Sequence, residues 1–511
     1  MGKFNGIDTF HDGLAVSDYV NMIPLGDTCI DRQGDVLVSR RAYSPTAEVR
    51  GSFLDSSKKI YEVIEGKVHV FFPDGDTYAY AGVLGGYIRD EFVSEFELLN
   101  KFGKVTFVES SIKPSTIYLC DGKYIYKWSS SELVAKMMMS PGVYPSNDQN
   151  LNGAKDAAEN FYGAVLDGSE ALDMSEMAYI DSIDWFDNKL VAVQKSKNTV
   201  WLTCTDPEQF SREPSLNPWG DQYQLWNNWY ASTNSADKLN TAVAFGGMLY
   251  LLNDNSIELW GRTGNEQAPL QSSTNQVIHH GARDPLVLGD YMYVVANDSV
   301  GSDYIALIQG GQFKRISSFE IDHRLGHAID IVPIAMRGET YVMVRNNGGL
   351  DGFVFGEDKW WHWVHPSSDS DGIMKSVFKN FALTLHGALV KFDDDTRTTY
   401  LGGQIVRYIR DSFVNWHTRK LFRKVAVAMD SGRVTDPNIN DSDLLKQIYI
   451  RLSTNRGLSF GQYLFRKLGR SGLNNKIIEW VGLGSGNSLL LEIGTSAGYK
   501  LQLYDIEITA Q

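Results

Sequence analysis

A short three-strand unit near the middle of the chain constrains the fold more than any other stretch. It covers Thr241–Gly264 and reads TAVAFGGMLYLLNDNSIELWGRTG. Its connections, a Gly-Gly pair and Asn253–Asn255, contain the residues that supply positive φ in tight hairpin turns. The middle run, Met248–Leu252, is apolar at every position, which predicts a strand covered on both faces. A lone meander cannot cover both faces of its own strand, so similar units must flank it.

Comparable meanders recur along the chain. Apolar strand segments turn at Asn188, Gly247, Asp290, Gly338 and Asn380. A recurring antiparallel unit of roughly 40–50 residues is typical of a β-propeller, and the one longer spacing contains a Trp/Asn-rich loop. The segments are too short and too rich in Val, Ile and Tyr for a helical repeat. With two earlier meanders, the pattern predicts an all-β chain with a β-propeller of about six blades.

The chain divides into three predicted parts. Residues 1–51 are irregular and polar, and we expect an N-terminal arm. Residues 52–409 contain the repeats and form the predicted propeller, with a polar surface insertion at about residues 137–174. Residues 410–511 begin with a charged, less regular stretch and continue with several strand segments. They predict a C-terminal antiparallel β-sandwich packed on the propeller.

Two segments are candidates for helices. Phe92, Phe96 and Leu99 have helix-compatible spacing within Arg89–Phe102. Ala154–Tyr162, inside the predicted insertion, is the second and shorter candidate.

Charge and cysteine usage exclude several classes of protein. The net charge is −14, from 48 basic and 62 acidic residues, which argues against a dedicated nucleic-acid binder. Cys29, Cys120 and Cys204 are odd in number and widely spaced, so neither a disulfide framework nor a cysteine zinc site is expected. The N-terminus lacks the apolar core of a signal peptide, and no stretch has the length of a membrane span.

Motifs that carry chemistry elsewhere are interpreted here as turns. GTSAG at Gly494–Gly498 matches the G-x-S-x-G nucleophile pattern, but it joins two strands and the last histidine lies upstream of it. GLGSG at Gly482–Gly486 also lies between strands, without the helix N-terminus that a phosphate loop uses. We therefore predict hairpin turns at both places and no catalytic residues.

Metal and cofactor sites are not expected. In a strand, His362 and His365 point to opposite faces, and His279 with His280 lacks further converging ligands. The acidic run Asp393–Asp395 and the segment SDSDG could bind a cation through oxygen, but neither has the spacing of a calcium loop. Solvated turns are the preferred interpretation.

One motif supports an alternative function. Ser453–Phe460, STNRGLSF, is close to the Asp-box hairpin S-x-D-x-G-x-[ST]-[WF], with Asn455 at the aspartate position. That box recurs in sialidases as a folding element. Paired carboxylates at a propeller mouth could hydrolyse glycosides, and Trp-rich loops could bind glycans. A propeller glycosidase or glycan-binding module is therefore the alternative.

Several stretches together resemble one family, the packaged-DNA stabilisation or tail-hub (nozzle) proteins of short-tailed bacteriophages. NSIELWGRTG at Asn255–Gly264 is similar to that family's S-x-E-x-[FW]-x-x-[ST]-G unit. VWLTCTDPEQF at Val200–Phe210 resembles its strand followed by an S/T-D-P loop. The closing region resembles it most, with RLSTNRGLSFG, FRKLGR at Phe465–Arg470, and strands ending at Ile506–Ile508. VNMIP, which ends at Pro24, looks like its early V-N-M segment.

The resemblance implies a structural virion protein rather than an enzyme. It implies a six-bladed propeller with an added β-sandwich, in six copies ringed below the portal and adaptor proteins. Such a hub closes the DNA exit channel after packaging and seats a needle, tip, spike or fibre protein, and DNA passes without specific binding. We accordingly expect the protein in the virion tail, after synthesis in the host bacterial cytoplasm, with no cofactor.

Interface residues are the least constrained prediction. The N-terminal segment and the basic FRKLGR stretch have no evident role inside a blade. We therefore predict contacts through six residues of these two segments, with a solvated edge as the alternative for each segment. They are Asn21, Met22, Pro24, Arg466, Lys467 and Arg470.

Overall fold

The computed structural model describes most of the chain after residue 17. The described residues are 18–25, 28–40, 47–75, 77–88, 91–112, 115–138, 141, 144–145, 172–173, 178–203, 226–231, 237–265, 268–297, 301–326, 329–346, 351–356, 358–364, 374–384, 387–397, 399, 401, 403–431, 447–455, 458–468, 473–496 and 500–511. Nearly all regular structure in them is β-strand, arranged as a β-propeller with a C-terminal β-sandwich, as predicted. The chain groups into two compact units, residues 44–315 and residues 1–43 with 316–511.

The strands of the unit at residues 44–315 follow one another in short meanders. They are β5 Val49–Leu54, β6 Ile60–Ile64, β7 Lys67–Asp74, β8 Thr77–Val83, β9 Gly85–Ile88, β10 Glu91–Val93, β11 Thr106–Glu109, β12 Thr116–Cys120, β13 Ile125–Ser129, β14 Val134–Met137, β15 Tyr144–Pro145, β16 Leu172–Asp173, β17 Ser182–Phe186, β18 Lys189–Gln194, β19 Thr199–Thr203, β20 Trp226–Ala231, β21 Leu239–Phe245, β22 Met248–Asn253, β23 Ile257–Arg262, β24 Leu270–Ile278, β25 Gly281–Leu288, β26 Tyr291–Asn297, β27 Asp303–Gln309 and β28 Gln312–Arg315. A 3₁₀ turn lies at Lys195–Lys197.

The second unit contains both ends of the chain. Its strands are β1 Asp18–Val20, β2 Met22–Leu25, β3 Thr28–Asp31, β4 Gly34–Arg40, β29 Ile329–Met336, β30 Glu339–Asn346, β31 Asp351–Gly356, β32 Lys359–Val364, β33 Met374–Phe378, β34 Phe381–Thr384, β35 Ala388–Asp393, β36 Arg407–Ser431, β37 Gln447–Ser453, β38 Leu464–Lys467, β39 Leu473–Val481, β40 Ser485–Thr495 and β41 Leu501–Ala510. Helix α1, Phe319–Leu325, starts where the Ser318 hydroxyl accepts from the Ile321 amide. No helix among the described residues is long and apolar enough to cross a bilayer.

Sheets built from four consecutive strands dominate the unit at residues 44–315. These are β5–β8, β17–β20, β21–β24 and β25–β28, and a six-stranded sheet in the order β10-β9-β14-β13-β12-β11 contains the remaining meander. The first strands of successive sheets are hydrogen-bonded through side chains: Asp184 of β17 accepts from the Ala244 amide of β21 at 2.6 Å. This stacking of first strands is what the propeller prediction required.

The central meander has the packing expected from its sequence. Leu249 and Leu251 belong to a core cluster with Val191 and Val193 of the preceding sheet. Tyr250 and Leu252 belong to another cluster, formed with β26 of the following sheet. Alternate residues of β22 therefore fill the spaces on its two sides. The prediction that neighbouring units cover both faces of this strand is confirmed.

The predicted hairpin turns adopt left-handed backbone conformations. Asp187 and Asn188 have φ of 51° and 58°, and Gly246 and Gly247 have φ of 58° and 77°. Two consecutive positive φ values are the requirement of a type I′ turn, whose twist matches that of paired strands. The turn residues could be located from sequence because this geometry tolerates so few residue types.

The helix expected at Arg89–Phe102 is wrong for the described part of that segment. Residues 91–93 form the short strand β10, and no helix follows up to residue 102. The Phe96 amide donates to the Leu84 carbonyl, and the Leu98 amide donates to the Gly66 carbonyl. Backbone pairing with distant segments thus replaces local helical hydrogen bonds. The second helix candidate, at 154–162, lies outside the described residues, as does most of the predicted insertion.

The N-terminal strands are part of the second unit's sheets. Strand β4 is the fourth strand of the sheet β33-β34-β35-β4, and β2-β3 pairs with β41. Strand β1 lies between β32, to which it is parallel, and β36, to which it is antiparallel. The predicted boundaries after residues 51 and 409 stay predictions, and the contacts group the N-terminal strands with the C-terminal part of the chain.

In the described residues, four-strand modules occur seven times. They are β5–β8, β11–β14, β17–β20, β21–β24, β25–β28, β29–β32 and β33–β35 with β4. The resemblance implied six, and the sequence about six. The module that contains the Asn380 turn takes its fourth strand, β4, from the segment interpreted as an arm.

The β-sandwich is organised by the 25-residue strand β36. Its first half pairs with β40, which in turn pairs with β37, and β37 pairs with β38. Its second half lies between β39 and β41. One strand thus contributes to two sheets, and their facing sides bury Phe422, Val425, Val427, Ile450 and Trp480.

Candidate assembly surface

The most exposed strand of the sandwich lies at its edge. Strand β38 pairs with β37 alone among the described strands, and all four of its residues are exposed. The residues leading into it, Gly461–Tyr463, are exposed as well. Side chains on both faces of β38 are therefore accessible, which is unusual for a strand that contains Leu464 and Phe465.

A side-chain turn positions this edge. The side-chain oxygen of Asn455, Oδ1, accepts from the backbone amide of Ser459 at 3.0 Å. The side-chain nitrogen of Asn455, Nδ2, donates to the Ser459 hydroxyl at 2.8 Å. These bonds join positions of the Asp-box-like motif, and they make it a folding element at this turn. The motif brings no carboxylate to the turn, because asparagine replaces its aspartate.

Arginines bound to a buried glutamate contact the aromatic rings beside the exposed strand. Glu492 is 1% exposed and accepts from Arg410 at 2.7 Å and from Arg451 at 2.5 Å. The hydrogen bond to Glu492 raises the pKa of Arg451. The Arg451 guanidinium lies 4.5 Å from the centre of the Phe460 ring and 5.0 Å from that of Tyr463. These contacts hold the aromatic side chains rigidly at the surface.

Strand β38 also closes the sandwich over β39. The Trp480 indole donates to the Leu464 carbonyl at 2.8 Å, and Arg466 Nε donates to the Glu479 carbonyl at 3.4 Å. The first bond connects the backbone of β38 to a side chain of β39, and the second connects a side chain of β38 to the backbone of β39. The residues of β38 nevertheless stay exposed.

Exposed apolar side chains concentrate on β38 with the residues leading into it, on β39, and at Leu458 in the turn before β38. Their exposed fractions are Leu458 87%, Tyr463 49%, Phe465 50%, Ile477 63% and Val481 65%. Single exposed apolar residues are ordinary, but a group on adjacent edges is typical of a contact surface. We name β38 with Leu458 and Gly461–Tyr463 the sandwich edge.

A buried ionic cluster lies elsewhere in the same unit. Asp31 is fully buried and accepts from Arg397 Nε at 2.9 Å, from Arg337 Nη2 at 3.1 Å and from the Leu501 amide at 2.9 Å. Arg407 Nη1 also donates to it. Burial lowers the pKa of Arg407 to about 10, although Asp31 opposes that shift. The cluster joins the end of β3 to the starts of β36 and β41, so we assign it a structural role.

The predicted interface residues have different environments. Asn21 and Met22 are 2% and 1% exposed, and Pro24 is buried. Arg466 and Lys467 are exposed on the sandwich edge, and Arg470 lies outside the described residues. Only Arg466 and Lys467 are thus both described and accessible in a single chain.

Asn21 joins three segments of its own chain. Its φ is 54°, and its side-chain amide donates to the carbonyls of Val364 at 3.0 Å and Val406 at 2.8 Å. Its side-chain oxygen accepts from the Val364 amide at 3.0 Å. These bonds connect the turn after β1 to the end of β32 and to the segment before β36.

The two glycine motifs lie at turns or close approaches. Gly482 and Gly484 have φ of 73° and 91° between β39 and β40. Gly494 lies in β40 next to its last residue, and a Cβ there would lie 2.4 Å from the Tyr449 hydroxyl oxygen. Glycine is required by geometry at these positions. Gly498, the last residue of GTSAG, is outside the described residues.

The candidate metal ligands have other contacts. His280 stacks on Phe313 with ring centres 4.4 Å apart, and His362 stacks on Phe353 at 4.7 Å. Asp394 and Asp395 both pair with Lys500 at 3.1 Å. Among the described residues, no group of three His, Cys, Asp or Glu side chains could hold a metal ion. His365 and the SDSDG segment lie outside those residues.

Sequence reasoning missed the apolar part of the surface. The sequence analysis assigns no contact to Ile477 and Val481, which lie in one of the strand segments expected in residues 410–511. Their alternation with the buried Ile478 and Trp480 is visible in the sequence, but it does not indicate which face is covered. That choice depends on where β38 and β36 lie.

One family model matches part of the chain. It is described as the β-propeller of bacteriophage P22 Gp10, a phage-stabilisation family, and it matches residues 221–341. The matched stretch includes the sheets β21–β24 and β25–β28 and the NSIELWGRTG segment. The match supports a β-propeller and a structural protein of a phage tail. Comparison with curated proteins gives no significant match.

Solved structures resemble the chain only remotely. A BBS1 N-terminal domain in complex with ARL6 is 12% identical, with a TM-score of 0.40, and covers 71% of this chain and 97% of its own. The Neurospora crassa Pan2 WD40 domain is 8% identical, with a TM-score of 0.37, and covers 71% and 94%. An exo-β-1,3-galactanase from Phanerochaete chrysosporium is 10% identical, with a TM-score of 0.26, and covers 93% and 100%. We draw no functional argument from likeness at this level.

Proposed function

We propose that this protein is a tail hub, or nozzle, of a short-tailed bacteriophage. In this proposal several copies form a ring, six in the arrangement that the resemblance implies, below the portal and adaptor proteins. The ring closes the DNA exit channel after packaging and seats a distal tail protein. Its role is structural and not enzymatic.

The observation that carries the proposal is the family match at residues 221–341. The meander that the sequence singled out lies inside this stretch. The segments at Val200–Phe210 and Phe465–Arg470 lie outside it and resemble the same family independently. Separate parts of the chain therefore support one assignment.

The charge of the chain suits passage of DNA. Affinity for duplex DNA comes mainly from cationic side chains on phosphates, and the chain carries a net charge of −14. A channel wall with an excess of carboxylates would repel the backbone and let DNA slide.

The test is to locate the protein in the particle. Virions that carry this protein with a small fused tag would be imaged by electron cryo-microscopy. We expect density for the tag at the tail, in a ring below the portal. Particles assembled without the protein should package DNA and then lose it, which a nuclease-protection assay measures. Tag density on the capsid, or DNA retained as in complete particles, would refute the proposal.

A further inference from the structure

A second exposed surface of the sandwich has the opposite charge to the sandwich edge. It is the outer side of the three-stranded arrangement β39-β36-β41. Ala426 of β36 lies opposite Glu479 of β39 on one side and Glu507 of β41 on the other. Both carboxylates are accessible, with side-chain exposures of 52% and 67%, and Lys424 Nζ lies 3.2 Å from Glu479 and 3.9 Å from Glu507. A single lysine thus neutralises only part of the negative charge on this surface.

Apolar residues flank these carboxylates. Ala428 lies opposite Ile477 and Asp505, and Lys424 lies opposite Val481. Directly opposite residues in a sheet project from the same face. The outer surface thus combines exposed Ile477 and Val481 with three carboxylates and one lysine. We name it the sandwich face.

The sandwich edge is its chemical complement. It contains Leu464 and Phe465 beside Arg466 and Lys467. Arg466 donates only to the backbone carbonyls of Glu479 and Phe465, and it has no carboxylate partner in the described part of the chain. Its charge is therefore available for a partner, although the chain as a whole is acidic.

We propose that the sandwich edge of one copy of this chain packs on the sandwich face of a second copy. Arg466 and Lys467 then form ion pairs with Glu479 and Glu507 of the second copy. The exposed apolar side chains of both surfaces become buried against each other. The occupant is a second copy because one chain carries both complementary surfaces. The proposal uses side chains and not the free backbone of β38, since basic residues on an edge strand discourage strand pairing.

This contact has a consequence for symmetry. The two surfaces differ, so the contact is head-to-tail, and head-to-tail contacts repeat until they close a ring or extend a filament. The inference deepens the proposed function and rests on it, because a hub ring needs such a contact.

Charge reversal on each surface tests the contact in the full chain. One variant carries Arg466→Glu with Lys467→Glu, and another carries Glu479→Lys with Glu507→Lys. Sedimentation velocity measures the assembly of each. We expect the wild-type chain to form oligomers and each variant to associate at least about tenfold more weakly, because like charges then face each other.

Mixing the variants gives the decisive result. The first variant has two acidic surfaces and the second has two basic ones, so an equimolar mixture should restore assembly with alternating subunits. A matched control reverses two exposed charges outside the sandwich, Lys197→Glu with Glu339→Lys, and should assemble like the wild type. Thermal unfolding of each variant verifies that it is folded.

Three outcomes would overturn the contact. They are assembly of either variant as strong as that of the wild type, a mixture that stays dissociated, and a wild-type chain that remains single at its solubility limit. In each case the hub proposal is judged separately, from the position of the tagged protein in the virion. If the tagged protein forms a ring below the portal but its assembly does not depend on these charges, the hub proposal stands and the proposed contact is wrong.

Discussion

Asp31 is the residue on which the second unit depends most directly. Its carboxylate accepts from Arg397, Arg407 and the Leu501 amide, and it is 0% exposed. Buried guanidinium groups repel one another, and a carboxylate between them offsets that repulsion. Asp31 thus allows arginines from separate segments to be buried together.

Replacing this carboxylate by an amide tests that role. Asp31→Asn keeps the shape and removes the negative charge, so we expect a loss of about 3–5 kcal/mol in the free energy of unfolding. Urea denaturation followed by tryptophan fluorescence would measure it. Asp187→Asn is the control, because Asp187 pairs with Arg262 at the surface and the pair should contribute less than about 1 kcal/mol. Equal effects of both substitutions would contradict the role of Asp31.

Glu62 is a buried carboxyl group in the unit at residues 44–315. It lies on β6 between Ser52 and His69 of the adjacent strands, and neither carboxyl oxygen has a hydrogen-bond partner among the residues that the structure describes. Burial raises its pKa from 4.5 to about 8. The group is therefore protonated in the folded chain at neutral pH.

This raised pKa predicts the sign of a pH effect. Between pH 4.5 and about 8 the folded chain holds a proton that the unfolded chain releases, so stability falls as pH rises and levels off above that window. At about 1.4 kcal/mol per pKa unit, Glu62 accounts for a loss of roughly 5 kcal/mol. Glu62→Gln should remove this slope, as measured by urea midpoints from pH 5 to 9. A variant with the wild-type slope would show that other groups cause it.

At the scale of elements, the N-terminal strands act as closing strands. Strand β4 pairs with β35 along its length, from Asp393 opposite Gly34 to Ala388 opposite Arg40. Strands β1 and β3 pair with β36 and β41. Strand β1 also pairs with β32, so without the N-terminal strands β32, β35, β36 and β41 would each lose a pairing partner.

Truncation tests this arrangement. A chain that starts at residue 44 leaves the edges of β32, β35, β36 and β41 open, and open edges promote aggregation. We expect it to be insoluble or aggregated by size-exclusion chromatography. The control starts at residue 18 and keeps all four strands, so it should elute like the complete chain. A soluble, cooperatively folding chain from residue 44 would show that these strands are dispensable.

At the scale of the whole molecule, the acidic charge predicts weak interaction with nucleic acid. We expect no saturable binding to duplex DNA at physiological salt, because a net charge of −14 opposes approach to phosphate. Fluorescence anisotropy with labelled DNA would measure it, and a basic DNA-binding protein would serve as positive control. Tight binding that weakens steeply with salt would refute the idea of a channel that lets DNA pass.

The sequence predicted the repeated part of the fold because its signals are local. Turns such as Asp187 with Asn188 need positive φ, and few residue types allow it. The continuous apolar run of β22 indicated cover on both faces, and neighbouring sheets supply that cover. The sequence pointed to the candidate surface only through Arg466 and Lys467, because the basic FRKLGR stretch has no evident role inside a blade. Its apolar members were missed because exposure depends on the packing of distant strands.

The sequence by itself determined the β class, the repeating meander, the turn positions and the acidic charge, because each depends on residues close together along the chain. Only the tertiary structure decided that β4 completes a sheet with β35, that Asn21 and Met22 are buried, and that Ile477 and Val481 face outward. These features depend on strand pairings between segments that are far apart along the chain. The sequence of a single strand does not specify which strand it pairs with. Such pairings are selected by the combined burial and hydrogen bonding of the whole fold.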